Sequence, residues 1–111
     1  AKFGAKLGVS EPVAIALRLC LITLQRAGEV IGMHTDELDW TTRSWVIASD
    51  RSKNRRAHHV PLSTLSQVLI RRALALATAS SVPDSIEAPL PRIVAEYRGP
   101  VFPAIHGEGS V

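Results

Sequence analysis

Residues 21–33 read LITLQRAGEVIGM. The stretch opens and closes apolar, yet its middle holds Gln25, Arg26, Ala27, Gly28 and Glu29. Charge in the middle of an apolar run marks a change of element, because an unpaired charge is costly to bury. The pattern predicts that one helix fades near Gln25 and that a second, short one spans roughly 27–34, burying Val30, Ile31 and Met33. Arg26 then sits at the junction, and Gly28 removes side-chain bulk beside it.

Upstream, Ser10-Glu11-Pro12 is a helix start. Ser10 can cap, Glu11 suits the positive end of the dipole, and Pro12 falls in the first turn, where a missing N–H does no harm. Val13, Leu17, Leu21 and Leu24 recur at helical spacing and predict the buried stripe, widened by Ile15, Leu19 and Ile22. Downstream the period changes. ELDWTTRSWVIAS (37–49) reads as a hairpin, with Thr41-Thr42-Arg43 as its turn and Trp40 and Trp45 as core anchors of a sheet. After the polar turn DRSKNRR, with Ser52 and Asn54 as turn formers, residues 57–61 form a third strand stopped by Pro61. Ser63 caps a further helix. Leu65, Val68, Leu69, Ala73 and Leu76 are assigned to its core side, Arg72 to the margin, and Gln67 and Arg71 to the wet side. Residues 79–91, with three prolines, read as a loop, a linker or a disordered segment. PRIVAEYR (91–98) is a short helix, GPVFP a brief extended piece and HGEGSV a frayed end. The fold class is α+β: mainly helical, with a small three-stranded antiparallel sheet.

The totals bound the function. A chain of 111 residues suits one small domain with one core, and 46% hydrophobic content suits a globular fold. No apolar run reaches the roughly 20 residues that span a bilayer, since Arg18 interrupts the longest, and the opening AKFGAKLG lacks the apolar core expected of a signal peptide. A first residue other than Met marks the expectation of a portion cut from something longer. The single Cys20 has no disulfide partner and reads as a small core residue in a reduced, cytoplasmic setting. Net charge is +3, divided as +5 over residues 1–79 and −2 over residues 80–111. RSKNRRAHH (51–59) holds four cations and no acid. Such a cluster suits polyanions, which release condensed counterions on binding; it equally suits a solvated loop. The histidines do not add a metal site. His58 and His59 point to opposite faces of a strand, one of them toward a candidate DNA surface. His34 and His106 are isolated surface residues, and no His/Cys cluster has zinc-ligand spacing.

The order of these parts, with LQRAGEVIGM, ELDW, RSKNRRAHHVPLS and the later GPVFP, resembles the catalytic domain of tyrosine recombinases, the phage integrases in particular. The resemblance runs through residues 10–79, passes a loop-rich segment at 80–99 and echoes weakly near 100–103 within a short extended piece and end at 100–111. It implies one partial catalytic domain over 1–111. It also implies a parent enzyme that breaks and rejoins DNA through a 3′-phosphotyrosyl intermediate, without metal or nucleotide cofactor. The implied partners are double-stranded DNA and other recombinase protomers, with no membrane and no small-molecule substrate. Arg26 corresponds to the family's first arginine and Glu29 to the acid that supports the site. Lys53 corresponds to the lysine that protonates the leaving 5′ oxygen. Arg51, Arg55, Arg56 and His58 are the neighbours that would grip DNA. The chemistry suits these residue types. An arginine fork meets two phosphate oxygens at once, fixed cations stabilise a pentavalent phosphorus centre, and nearby cations lower a lysine pKa.

The family also uses a His-x-x-Arg motif, a further His or Trp and a tyrosine nucleophile. No His-x-x-Arg occurs here, and the only tyrosine, Tyr97, precedes the VFP segment and reads as structural. The expectation is the N-terminal portion of a catalytic domain, itself inactive, exposing a seam that the rest of the parent covers. Two other readings use the same residues. One is a non-catalytic DNA-binding module gripping phosphates through the basic turn 51–56. The other is a protein-interaction domain with a solvated basic loop.

Overall fold

A computed structural model describes residues 10–48 and 56–105 of the chain. The opening residues 1–9, the basic turn at 49–55 and the expected frayed end at 106–111, with His106, lie outside the described residues.

Helix α1 spans Glu11–Thr23 and starts as its sequence dictates, with the Ser10 hydroxyl accepting the Val13 N–H at 3.4 Å and Pro12 in the first turn. It ends at Leu24, which takes the left-handed conformation (φ 59°) and donates its N–H to the Cys20 carbonyl. The expected stripe is buried only in part: Ile15 and Leu19 are inside together with Ala14 and Ala16, while Leu17, Leu21 and Leu24 are 49%, 77% and 86% exposed. The cause is packing. α1 lies against helix α3 (Thr64–Ala77), and small side chains at the contact let two backbones approach more closely than leucines would. Cys20 is half-buried beside this core, and burial pushes its thiol pKa up.

Helix α2 covers only Ala27–Ile31, shorter than the expected 27–34, because the chain turns at Gly32. Val30 and Met33 are buried as expected and Ile31 is half-buried. A 3₁₀ turn follows at Thr35–Glu37. His34 is no idle surface residue. Its Nδ1 accepts the Asp36 N–H at 3.1 Å, and its own N–H donates to Glu37 Oε1 at 3.2 Å.

Strands β1 (Leu38–Asp39), β2 (Ser44–Ile47) and β3 (His58–Pro61) form the antiparallel sheet in the order β1-β2-β3. Trp45 faces Leu38 on one side and Val60 on the other, and Ile47 faces His58. The hairpin turn is held by the Asp39 carboxylate, which accepts the N–H groups of Thr41 and Thr42 at 3.0 and 3.1 Å. These bonds hold the Asp39 carboxyl below its ordinary pKa. Trp45 is fully buried, and its indole N–H donates to Glu37 Oε1 at 3.0 Å; Trp40 is half-buried against the core.

Ser63 caps α3 by accepting the Ser66 N–H at 3.1 Å. Its faces are rotated from the expected assignment. Leu69, Ile70, Ala73 and Leu74 are inside, Leu65 and Leu76 are nearly half exposed, and Gln67 and Arg71, expected in water, are each only 4% exposed. The loop over residues 79–91 explains this. It wraps back so that Arg71 Nε and Nη2 both donate to the Pro83 carbonyl, at 3.2 and 3.1 Å. Arg72, at the margin as expected, grips Asp84 through two bonds of 3.2 Å. Gln67 Nε2 donates to the Leu62 carbonyl at 3.0 Å. After helix α4 (Arg92–Ala95) the extended piece returns to the core, where Val101 donates its N–H to Met33 and Phe102 is 1% exposed. One core results, centred on Trp45, Phe102, Leu19, Met33, Ile47 and Leu69. Among the described residues no helix is long and apolar enough to cross a membrane.

Candidate nucleic-acid interface

Between α1 and α2 the chain leaves the helical conformation for three residues, Leu24 to Arg26. Arg26 has extended backbone (φ −71°, ψ 150°) and closes α2 only through its carbonyl, which accepts the Val30 N–H at 3.0 Å. Its side chain makes no capping bond, is exposed, and has no ion-pair partner among the described residues. The opening charge break is therefore a junction, with the guanidinium outside the core. Glu29, one turn on, is half-buried in the first turn of α2. At Gly28 the space is open: a Cβ placed there meets no described atom within 4 Å, so the fold itself does not require a glycine.

The second set of candidates clusters at one end of the sheet. Because Ile47 and His58 pair, the β2–β3 connection leaves the sheet at that end. Arg56 and His58 are exposed there, as is His59 on the alternate face of the strand. β3 is an edge strand, so both imidazoles escape the packing that buries Val60. Arg51, Lys53 and Arg55, with the turn formers Ser52 and Asn54, lie within the same connection but outside the described residues. The ion pairs of arginine with acid among the described residues are elsewhere, Arg72 with Asp84 and Arg92 with Glu96. Arg26 at the helix junction and Arg56 at the sheet end thus have no ion pair with a described carboxylate, which favours a meeting with phosphate.

Tyr97 is occupied structurally. Its hydroxyl donates to the Pro100 carbonyl at 2.7 Å, and burial pushes its pKa up. A Cβ on Gly99 would come within 2.8 Å of that hydroxyl, so a larger residue there would have to displace the Tyr97 ring. Among the described residues no group of three His, Cys, Asp or Glu side chains is placed to hold a metal ion.

Sequence reasoning missed a second cationic feature. A hollow of about 300 Å³ lies between the hairpin turn, α3 and residues 86–90, with Trp40, Arg43, Gln67, Arg71 and Leu90 in its lining. Helical spacing had placed Arg71 in water, and only the fold-back of the loop over 79–91 reveals that it is buried.

The family model described as the phage integrase family matches residues 9–86, more than half of the chain. No curated protein and no solved structure matches it significantly.

Proposed function

Since the chain belongs to the phage integrase family, we propose that it is the DNA-binding portion of a site-specific tyrosine recombinase catalytic domain. The observation that carries this reading is Arg26, exposed at a helix junction and free of described acids. In the proposed mechanism Arg26 and Lys53 meet the scissile phosphate on one face. A tyrosine hydroxyl supplied by other parts of the parent protein gives its proton to a base also supplied there, its oxygen attacks phosphorus, and the P–O bond to the 5′ oxygen breaks. That oxygen takes a proton from Lys53, leaving a 3′-phosphotyrosyl bond. In the rejoining step a 5′ hydroxyl attacks phosphorus and the tyrosine oxygen leaves. Arg26 spreads its fork over two non-bridging oxygens as negative charge builds on them, and electrostatic stabilisation of this kind is usually the largest single contribution. Glu29 braces α2 beneath it. Arg51, Arg55, Arg56 and His58 hold the flanking backbone and fix register without reading sequence.

The chain alone is inactive in this reading, because Tyr97 is engaged with Pro100 and a second arginine of the required motif is not supplied. Exposure of Leu17, Leu21 and Leu24 supports further protein covering that face in the parent. The remaining partners proposed are other protomers, acting in the cytoplasm.

The test is fluorescence anisotropy with a mixed-sequence duplex at low salt. Arg26→Ala and Lys53→Ala each weaken binding about three- to tenfold, the range of one lost charged contact. Arg92→Ala, outside the family match, leaves it unchanged. If Arg26→Ala binds like wild type while Lys53→Ala does not, the non-catalytic module built on the turn at 51–56 replaces this reading. If wild type does not bind, DNA is not the partner of this portion.

A further inference from the structure

The hollow beneath the hairpin turn has features that the recombinase reading does not use. None of Arg26, Arg56 or His58 lines it. Its inner cation, Arg71, is 96% buried by exposure of 4%, a position where a charge is expensive unless compensated. Nε and Nη2 share a single neutral acceptor, the Pro83 carbonyl, and the remaining guanidinium nitrogen, which has no acceptor among the described residues, keeps contact with solvent. Asp84, the nearby acid, is spent on Arg72. Desolvation accordingly draws the Arg71 pKa down, against a partial counter-pull from Asp84.

A second cation lines the same hollow. Arg43 sits in the hairpin turn at φ 56°, is exposed, and has no ion-pair partner among the described residues. Glu87 also lines it, yet lies outside ion-pair distance of both arginines. Beside the cations the lining is apolar, with Trp40, Ile86, Pro89 and Leu90.

We propose that this hollow is a docking site for an acidic peptide segment of a partner protein, whose carboxylate meets Arg43 and Arg71 while a neighbouring apolar side chain covers Trp40. Charge and shape favour a peptide over nucleic acid. Two arginines and one glutamate leave a single net positive charge, matched by one carboxylate. A duplex carries one charge per about 1.7 Å of axis and would press several phosphates against Glu87. A bidentate arginine–carboxylate contact beside an aromatic wall is a common way to combine affinity with orientation.

The experiment uses the full 111-residue chain. A fluorescein-labelled, end-capped peptide alternating glutamate and leucine is titrated by anisotropy, with excess unlabelled duplex present to occupy any DNA-binding face. A peptide with glutamine in place of each glutamate is the companion probe, and free glutarate is the competitor. The acidic peptide binds, and the glutamine peptide is weaker by about tenfold or more, the scale of a charge-assisted contact. Arg43→Gln, at an exposed turn position that leaves the fold intact, reproduces that loss. Glu87→Gln tightens binding by removing the competing acid, and Arg92→Ala, outside the lining, changes nothing. The proposal is overturned by equal binding of the two peptides, by indifference to Arg43→Gln, by failure of the acidic peptide to bind, or by glutarate displacing it at equal concentration, which would make the hollow a small-carboxylate site. None of these outcomes bears on DNA binding, so the two readings stand or fall separately.

Discussion

Gly28 separates what the fold requires from what a bound phosphate would require. It is the second residue of α2, its φ is not in the left-handed range, and a Cβ there meets no described atom within 4 Å. Replacing glycine by alanine in a helix interior is worth roughly 0.8–1.0 kcal/mol, and less in a first turn, so Gly28→Ala should stabilise by about 0.5–1 kcal/mol with no steric cost to set against it. For a domain of this size that is a rise in Tm of about 2–8 °C. Thermal and urea unfolding followed by circular dichroism reads it, with an unchanged urea m-value showing that the surface exposed on unfolding is the same. The same variant is then titrated with duplex DNA. If the backbone beside Arg26 approaches phosphate, the added methyl weakens binding while stability rises, an opposition that general destabilisation cannot produce. A fall in Tm would refute the reasoning at its root, because it would mean that the space beside Gly28 is not open.

Other consequences follow from particular contacts. Leu24 is 86% exposed at φ 59°. A left-handed non-glycine residue costs roughly 1–2 kcal/mol and glycine returns about 0.5–1 of that in entropy, so Leu24→Gly should raise the urea midpoint by the equivalent of about 0.5–1 kcal/mol. Glu37→Ala leaves the buried Trp45 indole N–H and the His34 N–H without their acceptor. It should destabilise by about 1–3 kcal/mol or more and shift the tryptophan emission, both read in one urea titration. The Arg72 bond holds Asp84 below its ordinary 3.8, and the Thr42 N–H does the same for Asp39. Both folded pKa values lie below the unfolded ones, so the stabilisation is present above about pH 4 and is lost as pH falls through the folded values. Tm should therefore drop on acidification below about pH 4, and Asp84→Asn should flatten part of that drop.

The element starts and the hairpin turn were legible because they rest on local chemistry. Ser10 with Pro12, the turn at 41–43 and Ser63 act within a few residues of themselves, and each holds in the structure. Which helix face is buried was not legible, since that is decided by the partner. On α1 both the leucine side and the Ala14–Leu19 side are apolar, and packing against α3 selected the one with small residues. Arg71 failed for a related reason. Spacing treats an arginine as wet, whereas a carbonyl at Pro83, 12 residues on, drew its head inward. At the candidate interface Arg26 was visible as a charge break in an apolar run. The hollow around Arg43 and Arg71 was not, because its walls come from segments far apart in sequence.

The central claim is that Arg26 and Lys53 share one phosphate-binding surface. It is tested most directly by the salt dependence of duplex binding, measured for wild type, each single alanine variant and the double variant. Each neutralised phosphate contributes about 0.9 to the slope of log K against log salt. The account predicts that Arg26→Ala and Lys53→Ala each lower the slope by about that amount, and the double variant by about twice as much. A slope in Arg26→Ala equal to that of wild type would contradict it.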